Sequence, residues 1–349
     1  MATSDSAVRP AAPPSALDRR AFLGSALAAG AALAGVPGAA PAAPLGAPLG
    51  APSGAPLGAP TGRPFGAPSG APPFRLRYAP HFGQFRAHAG DDLVAQLEFG
   101  RAEGFTAWED NEMRGRPVAD QERVARAMGR LGMQMGVIVG HTLDWREPTL
   151  LAADPAARDQ FRDRFLAEVR ASADVARRVN GRWMVVVPGV AARRVEPEYQ
   201  MVQVVETLRR AAALLEPTGV GMLLEPLNTR RDHPGQLLHR VPQLQLVVRA
   251  VNSPALRILY DCYHVQVEDG NLIPAMDAVW PDVAYVQVAD TPGRLEPGTG
   301  EVNYANVFRH LRAKGYAGLV GIEHGASRPG REGERALIDA YRAVDPAGD

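Results

Sequence analysis

From Phe74 onward the chain alternates between two hydrophobic rhythms. Short β-branched or aliphatic runs recur, and between them lie longer stretches whose apolar positions are spaced for a helix. Residues 74–78 alternate as a strand does, and 91–104 follow with a helical pattern on Leu93, Leu97 and Ala102 that ends in glycine. Residues 106–109 predict a second strand, 118–132 a second helix closed by glycine, and 133–139 a third strand ending near His141. A long helix is predicted over 155–179 with Asp154 as its N-cap, then a strand over 183–187 and a helix over 198–215. Four more apolar runs follow at 220–224, 257–260, 283–286 and 319–322, each succeeded by a turn and, before the next run, a helical pattern.

Eight strand–helix alternations in about 275 residues predict a closed parallel (β/α)₈ barrel, the TIM barrel, joined by right-handed crossovers. A doubly wound dinucleotide-binding sheet is the rival. It requires a glycine-rich fingerprint after the first strand, and Tyr78-Ala79-Pro80-His81-Phe82-Gly83 lacks one.

The last four runs share a further feature. Each ends at one polar residue able to bind a metal: Glu225, Asp261, Gln287 and Glu323, separated by 36, 26 and 36 positions. A polar group closing a buried apolar strand is costly without a partner. Four in corresponding places suggest one shared partner, and an oxygen-preferring divalent cation is the simplest. In a barrel these four share the mouth with Glu109 and His141, the latter either lining that mouth or capping a strand.

Composition narrows the chemistry. The 38 basic and 38 acidic residues cancel, so nothing points to nucleic acid. Lys314 is the only lysine, which leaves a Schiff-base mechanism one candidate, in a solvated helical segment. Cys262 is the only cysteine and is read as a packing residue. Ahead of the barrel, Asp18-Arg19-Arg20-Ala21-Phe22-Leu23-Gly24 and the mildly apolar stretch after it resemble a twin-arginine export signal. Ala40-Pro41-Ala42 offers a cleavage site. The apolar stretch is shorter than the ~20 residues of a spanning helix, so no stable membrane span is expected. Residues 1–42 are assigned to the signal, 43–73 to a disordered Gly-Ala-Pro-x repeat linker, and 74–349 to the barrel. Export machinery would then be a partner, the address periplasmic or extracellular, and the protein carried across already folded.

Five motifs in order carry a family resemblance: Leu224-Glu225-Pro226-Leu227-Asn228, Tyr260-Asp261-Cys262-Tyr263-His264, Val286-Gln287-Val288-Ala289-Asp290-Thr291-Pro292, the stretch from Glu296 to Tyr304, and Gly321-Ile322-Glu323. They resemble the hydroxypyruvate isomerases of the xylose-isomerase-like barrel superfamily. Glutamine as third ligand and the Pro-Gly-Thr-Gly-Glu turn point to that branch. The resemblance implies that Glu225, Asp261, Gln287 and Glu323 bind Mg²⁺ or Mn²⁺, an all-oxygen set that suits either ion. It implies Glu225 and Glu323 as general base and acid of an aldehyde–ketone isomerisation, and His264 as a contact to substrate oxygens. Arg294 is placed to clamp a substrate carboxylate, Glu109 matches a second-strand glutamate of relatives, and His141 is a further substrate-side candidate. Where relatives carry Tyr-Lys after the last glutamate, this chain has His324-Gly325. The expected ligand is a small hydroxy-keto acid or sugar, and a homo-oligomer is possible for such a barrel. A ketose 3-epimerase and an exported non-catalytic binding barrel are the alternative readings.

Overall fold

The computed structural model describes residues 70–347. The expected export signal lies outside the described residues, as does the repeat linker up to residue 69. Nine strand segments are all parallel: β1 (Arg77–Ala79), β2 (Ala107–Trp108), β3 (Gln134–Met135), β4 (Val137–Val139), β5 (Trp183–Val186), β6 (Gly221–Leu224), β7 (Leu256–Asp261), β8 (Val283–Val288) and β9 (Leu319–Ile322). Their order is β1-β9-β8-β7-β6-β5-β4, with β2 beside β3. β3 and β4 are one stave interrupted at Gly136, whose N–H donates to Trp108 O at 2.6 Å. The bridge between His81 and Glu109, with Glu109 N–H on Pro80 O at 2.9 Å, joins β1 to β2 and closes eight staves into a barrel.

Strand periodicity explains what fills it. Ala79, Ala107, Val137, Val185, Leu223, Leu259, Tyr285 and Leu319, one from each stave, form a single apolar cluster in the interior. Their neighbours Ile138, Met184, Val186, Leu224, Ile258, Tyr260 and Val286 face the other way, into the layer between strands and helices. Counting two residues onward from the interior cluster gives His81, Glu109, Val139, Val187, Glu225, Asp261, Gln287 and Gly321. Glu109, Glu225, Asp261 and Gln287 therefore occupy the next tier toward the strand C-termini, where barrel sites form, and Glu323 stands two residues beyond Gly321, nearer the rim.

The elements depart from expectation in informative ways. The first strand begins at Arg77 instead of Phe74 because the N–H groups of Arg75 and Leu76 bind the Asp345 carboxylate, at 2.7 and 3.2 Å, instead of a neighbouring strand. Asp261 and Gln287 lie within their strands, which run past the apolar residues that marked them. Asp154 caps the helix Pro155–Arg178 through Ala157 N–H as its position predicts. Among the described residues no helix is long and apolar enough to cross a membrane.

Candidate active site

Asp261 closes β7 and caps the helix Cys262–Glu268, its Oδ1 accepting the N–H groups of Tyr263 at 2.7 Å and His264 at 3.1 Å. Glu225 and Glu323 stand one residue beyond β6 and β9. Single ligand atoms of Glu225, Asp261, His264 and Glu323 all lie within 4.8 Å of one another. Burial, then the charges of Glu323 and Asp261, hold the Glu225 carboxyl well above the usual carboxylate range. Asp261 is pushed up to about 7 by burial and by Glu323, against the opposing pull of Arg294 and its backbone bonds.

Gln287 stands beside Asp261 in the β7–β8 register. Its Nε2 donates to Glu109 Oε1 at 3.2 Å, while its Oε1 is buried without a hydrogen-bond partner. An orphaned buried amide oxygen costs ~1–3 kcal/mol, and three crowded carboxylates repel. A divalent cation would relieve both. The residues present fit such an ion.

Glu109 takes a different place from the one expected. It is fully buried, with its carboxylate engaged by the Tyr285 hydroxyl at 2.6 Å, by Gln287, and by His81 Nε2 at 2.5 Å. Burial disfavours a charged His81, but Glu109, with Glu323 and Asp110 beyond it, outweighs that and raises its pKa. Glu109 thus supports Gln287 from within the barrel and leaves no oxygen free for substrate. Two glycines make room for this network. A Cβ on Gly136 would strike the Tyr285 hydroxyl, and one on Gly321 would strike the Glu109 carboxylate. Of the two roles expected of His141, its contacts are those of a strand-end packing residue. It lies edge-on to Phe165 of the helix layer, its centroid 5.1 Å away, and its Nε2 accepts Val187 N–H at 3.3 Å. It packs strand against helix.

Arg294 does reach the site. Its Nη2 donates to Glu323 Oε2 at 2.8 Å, and its guanidinium lies over the Tyr263 ring, 4.7 Å from the centroid. The backbone holding it has φ of +53°, strained for a residue with a side chain. Asp290 supports that loop by accepting the N–H groups of Thr291, Gly298, Gly300 and Val302 at 2.8–3.0 Å. Neither Asp290 nor Asn111, whose Nδ2 donates to Glu323 Oε1 at 3.3 Å, stood out in the sequence. Asn228 did not either, although it, like Asp290, belongs to one of the motifs that carry the resemblance; it binds His264 from behind. Polar residues at loop positions give no periodic signal, and only the folded chain shows what they face. Cys262 is buried in the layer outside the barrel, and burial keeps its thiol protonated, as a packing residue requires.

Similarity to known proteins agrees with this architecture. The model of the xylose isomerase-like TIM barrel matches residues 97–344. The hydroxypyruvate isomerase of Escherichia coli K12 is 33% identical over 193 residues, covering 55% of this chain and 72% of that protein. The 2-oxo-tetronate isomerase of Cupriavidus necator is 35% identical over 119 residues, 34% of this chain and 45% of that one. Among solved structures, an AP endonuclease of family 2 from Brucella melitensis superposes with a TM-score of 0.65 at 24% identity, covering 76% of this chain and 98% of that one; at that identity the likeness speaks for the fold alone. Eight closed staves, a polar tier at their C-terminal ends and a match across most of the barrel lead to one conclusion: the chain belongs to the xylose isomerase-like TIM barrel family.

Proposed function

We propose that the protein is a divalent-cation-dependent isomerase that interconverts hydroxypyruvate and 2-hydroxy-3-oxopropanoate. The observation that carries this reading is the meeting of Glu225 and Glu323, just beyond β6 and β9, with ligand atoms within 4.8 Å of each other and of Asp261, Glu225 and Asp261 being buried and Glu323 partly exposed. The isomerase relatives from Escherichia coli and Cupriavidus necator support the reaction class.

The reaction moves one carbon-bound proton. A base takes a proton from C3 of hydroxypyruvate and the C2 oxygen gains one, giving the C2–C3 enediol; a proton returned to C2 with loss of the C3 hydroxyl proton then leaves the aldehyde. Two carboxylates on opposite sides of the substrate suit these two transfers. Glu225, Asp261, Gln287 and Glu323 would hold a Mg²⁺ or Mn²⁺ ion, which would supply positive charge near the oxygens that become negative. Arg294, anchored on Glu323 and Tyr263, presents a guanidinium to the substrate carboxylate. Burial of Glu225 and Asp261 limits bulk water on their side of the carbanion-like carbon.

Solvent deuterium is the test. In D₂O with Mn²⁺, the label should enter the substrate carbon, and Glu225→Gln or Glu323→Gln should abolish exchange. Exchange with ketohexoses and none with hydroxypyruvate would replace this reading by the epimerase one. Ligand-induced thermal stabilisation with no exchange on either class would make the barrel a binding protein. We also propose export by the twin-arginine route, on the strength of Arg19-Arg20 and the apolar stretch behind them. Replacing both arginines with lysine should retain the protein in the cytoplasm on cell fractionation, and unchanged export would refute it.

A further inference from the structure

Behind His264, away from the carboxylates, lies Asn228, three residues past Glu225 and fully buried. Its backbone N–H donates to His264 Nδ1 at 3.2 Å, and its side-chain Nδ2 stands 2.7 Å from the same nitrogen. The other bonds of the amide decide which end faces the ring. Asn228 Oδ1 accepts the backbone N–H groups of Arg231 and Asp232, each at 3.1 Å, so the oxygen is committed to that turn. Nδ2 is left for the ring and also donates to Asp232 Oδ2 at 2.8 Å. The Tyr263 hydroxyl donates to that same oxygen at 2.8 Å and holds it in place. Two N–H donors therefore converge on Nδ1. A ring nitrogen carrying its own proton has no lone pair to receive them. Nδ1 is bare, and the proton of the neutral ring is on Nε2.

That nitrogen faces the site, 3.7 Å from Glu225 Oε1 and 3.9 Å from Asp261 Oδ2. Arg294 Nη2, 3.5 Å from Nε2, is itself a donor and would favour a bare nitrogen there, but that single long contact is outweighed by the two donors on Nδ1 at 2.7 and 3.2 Å. We propose that Asn228 is a positioning residue that locks neutral His264 as its Nε2–H tautomer, making the ring a fixed hydrogen-bond donor to a substrate oxygen and withholding it from the metal. Distance alone would make His264 a ligand, since it stands as close as the carboxylates. Its proton denies that role, because a metal requires the lone pair, and leaves the fourth place to Gln287 Oε1. A donor held still before reaction stabilises an oxygen that gains negative charge during it. The donor role rests on the isomerase reading; the tautomer does not.

The experiment uses the full chain with ¹⁵N-labelled histidine, with and without Mg²⁺, and His264→Gln to identify the ring signals. Nδ1 should show the shift of an unprotonated ring nitrogen and Nε2 that of a protonated one in both samples. A protonated Nδ1, or a pair averaged between tautomers, overturns the lock, and this wild-type spectrum decides even where a variant fails to fold. Asn228→Ala removes one of the two donors and should move the pair toward averaged shifts. It should lower kcat/KM about 10–100-fold, as loss of an outer-shell partner does, while Mn²⁺ affinity measured by calorimetry stays within about twofold of wild type, the outer shell of a non-ligand being at issue. A matching fall in Mn²⁺ affinity would make Asn228 a support of the metal site and overturn the proposal. The expected tautomer in a protein without isotope exchange would sink the isomerase reading and leave the lock standing.

Discussion

Asn111 joins the site by one end only. Its Nδ2 is spent on Glu323, while its Oδ1 is buried with no partner. A substrate hydroxyl would complete it. Asn111→Ala is expected to lower kcat/KM about tenfold, chiefly through KM, with stability changed by less than ~1 kcal/mol; an unchanged KM would remove Asn111 from the binding surface. The proposed cation makes a sharper demand on single residues. Mn²⁺ at a hundredfold excess over its Kd should stabilise the protein by about 2.7 kcal/mol, seen as a rise of several degrees in Tm that a chelator reverses. Asp261→Asn should lose most of that rise, and a variant that kept it would place the ion elsewhere. At this scale the strand-end residues Glu225, Asp261, Gln287 and Glu323 were legible, since each interrupts an apolar run at one fixed place. Their supports were not. Asn228, Asn111 and Asp290 act through partners up to 212 positions distant, and Glu109 and His141 show that knowing a residue's strand does not reveal which groups claim its polar atoms.

The segment after β8 shows how one buried carboxylate organises an element. Asp290 gathers four backbone N–H groups from residues 291–302, and the loop so formed carries Arg294 to Glu323. Asp290→Ala would leave these donors unpaired at a cost of about 3 kcal/mol, measurable as a lower urea midpoint. Activity should fall further than stability accounts for, because Arg294 loses its support. A variant as stable as wild type would mean that the loop holds its shape without the carboxylate. Elements with a strong period were readable in advance: the helix Pro155–Arg178 begins at its predicted cap, and the barrel's later strands lie where the apolar runs are. The first strand was misplaced because 74–76 alternate like a strand yet make their hydrogen bonds to Asp345, a partner about 270 residues away that local pattern cannot register.

Over the whole molecule, acidification should act through the histidines that burial holds below their usual pKa, among them two remote from each other in sequence. Burial lowers the pKa of His141 and of His324 to about 4. Between the unfolded value of ~6.5 and the folded value, the unfolded chain binds protons that the native rings refuse. Stability is therefore lost as pH falls through that window, by up to about 3 kcal/mol for each ring. Thermal melts at pH 7 and about pH 4.5 check this, and His141→Gln, which keeps an acceptor for Val187 N–H, should flatten the slope. An unaltered slope would assign the acid sensitivity elsewhere. The eight-stave closure was legible from the strand–helix count. The interruption of one stave at Gly136 was not, because it answers to the Tyr285 hydroxyl from across the barrel. Gly136→Ala should accordingly cost ~1–3 kcal/mol by overpacking, read from chemical denaturation.

The eight apolar side chains beneath the polar tier have a bearing on traffic. They plug the cylinder from side to side, so there is no back exit. Whatever enters by the rim must turn and leave by the same doorway, and any part of a reactant too long for the chamber is left trailing outward among the rim loops. Selection by length would then be the business of those loops, whereas the staves below see only the few atoms that react.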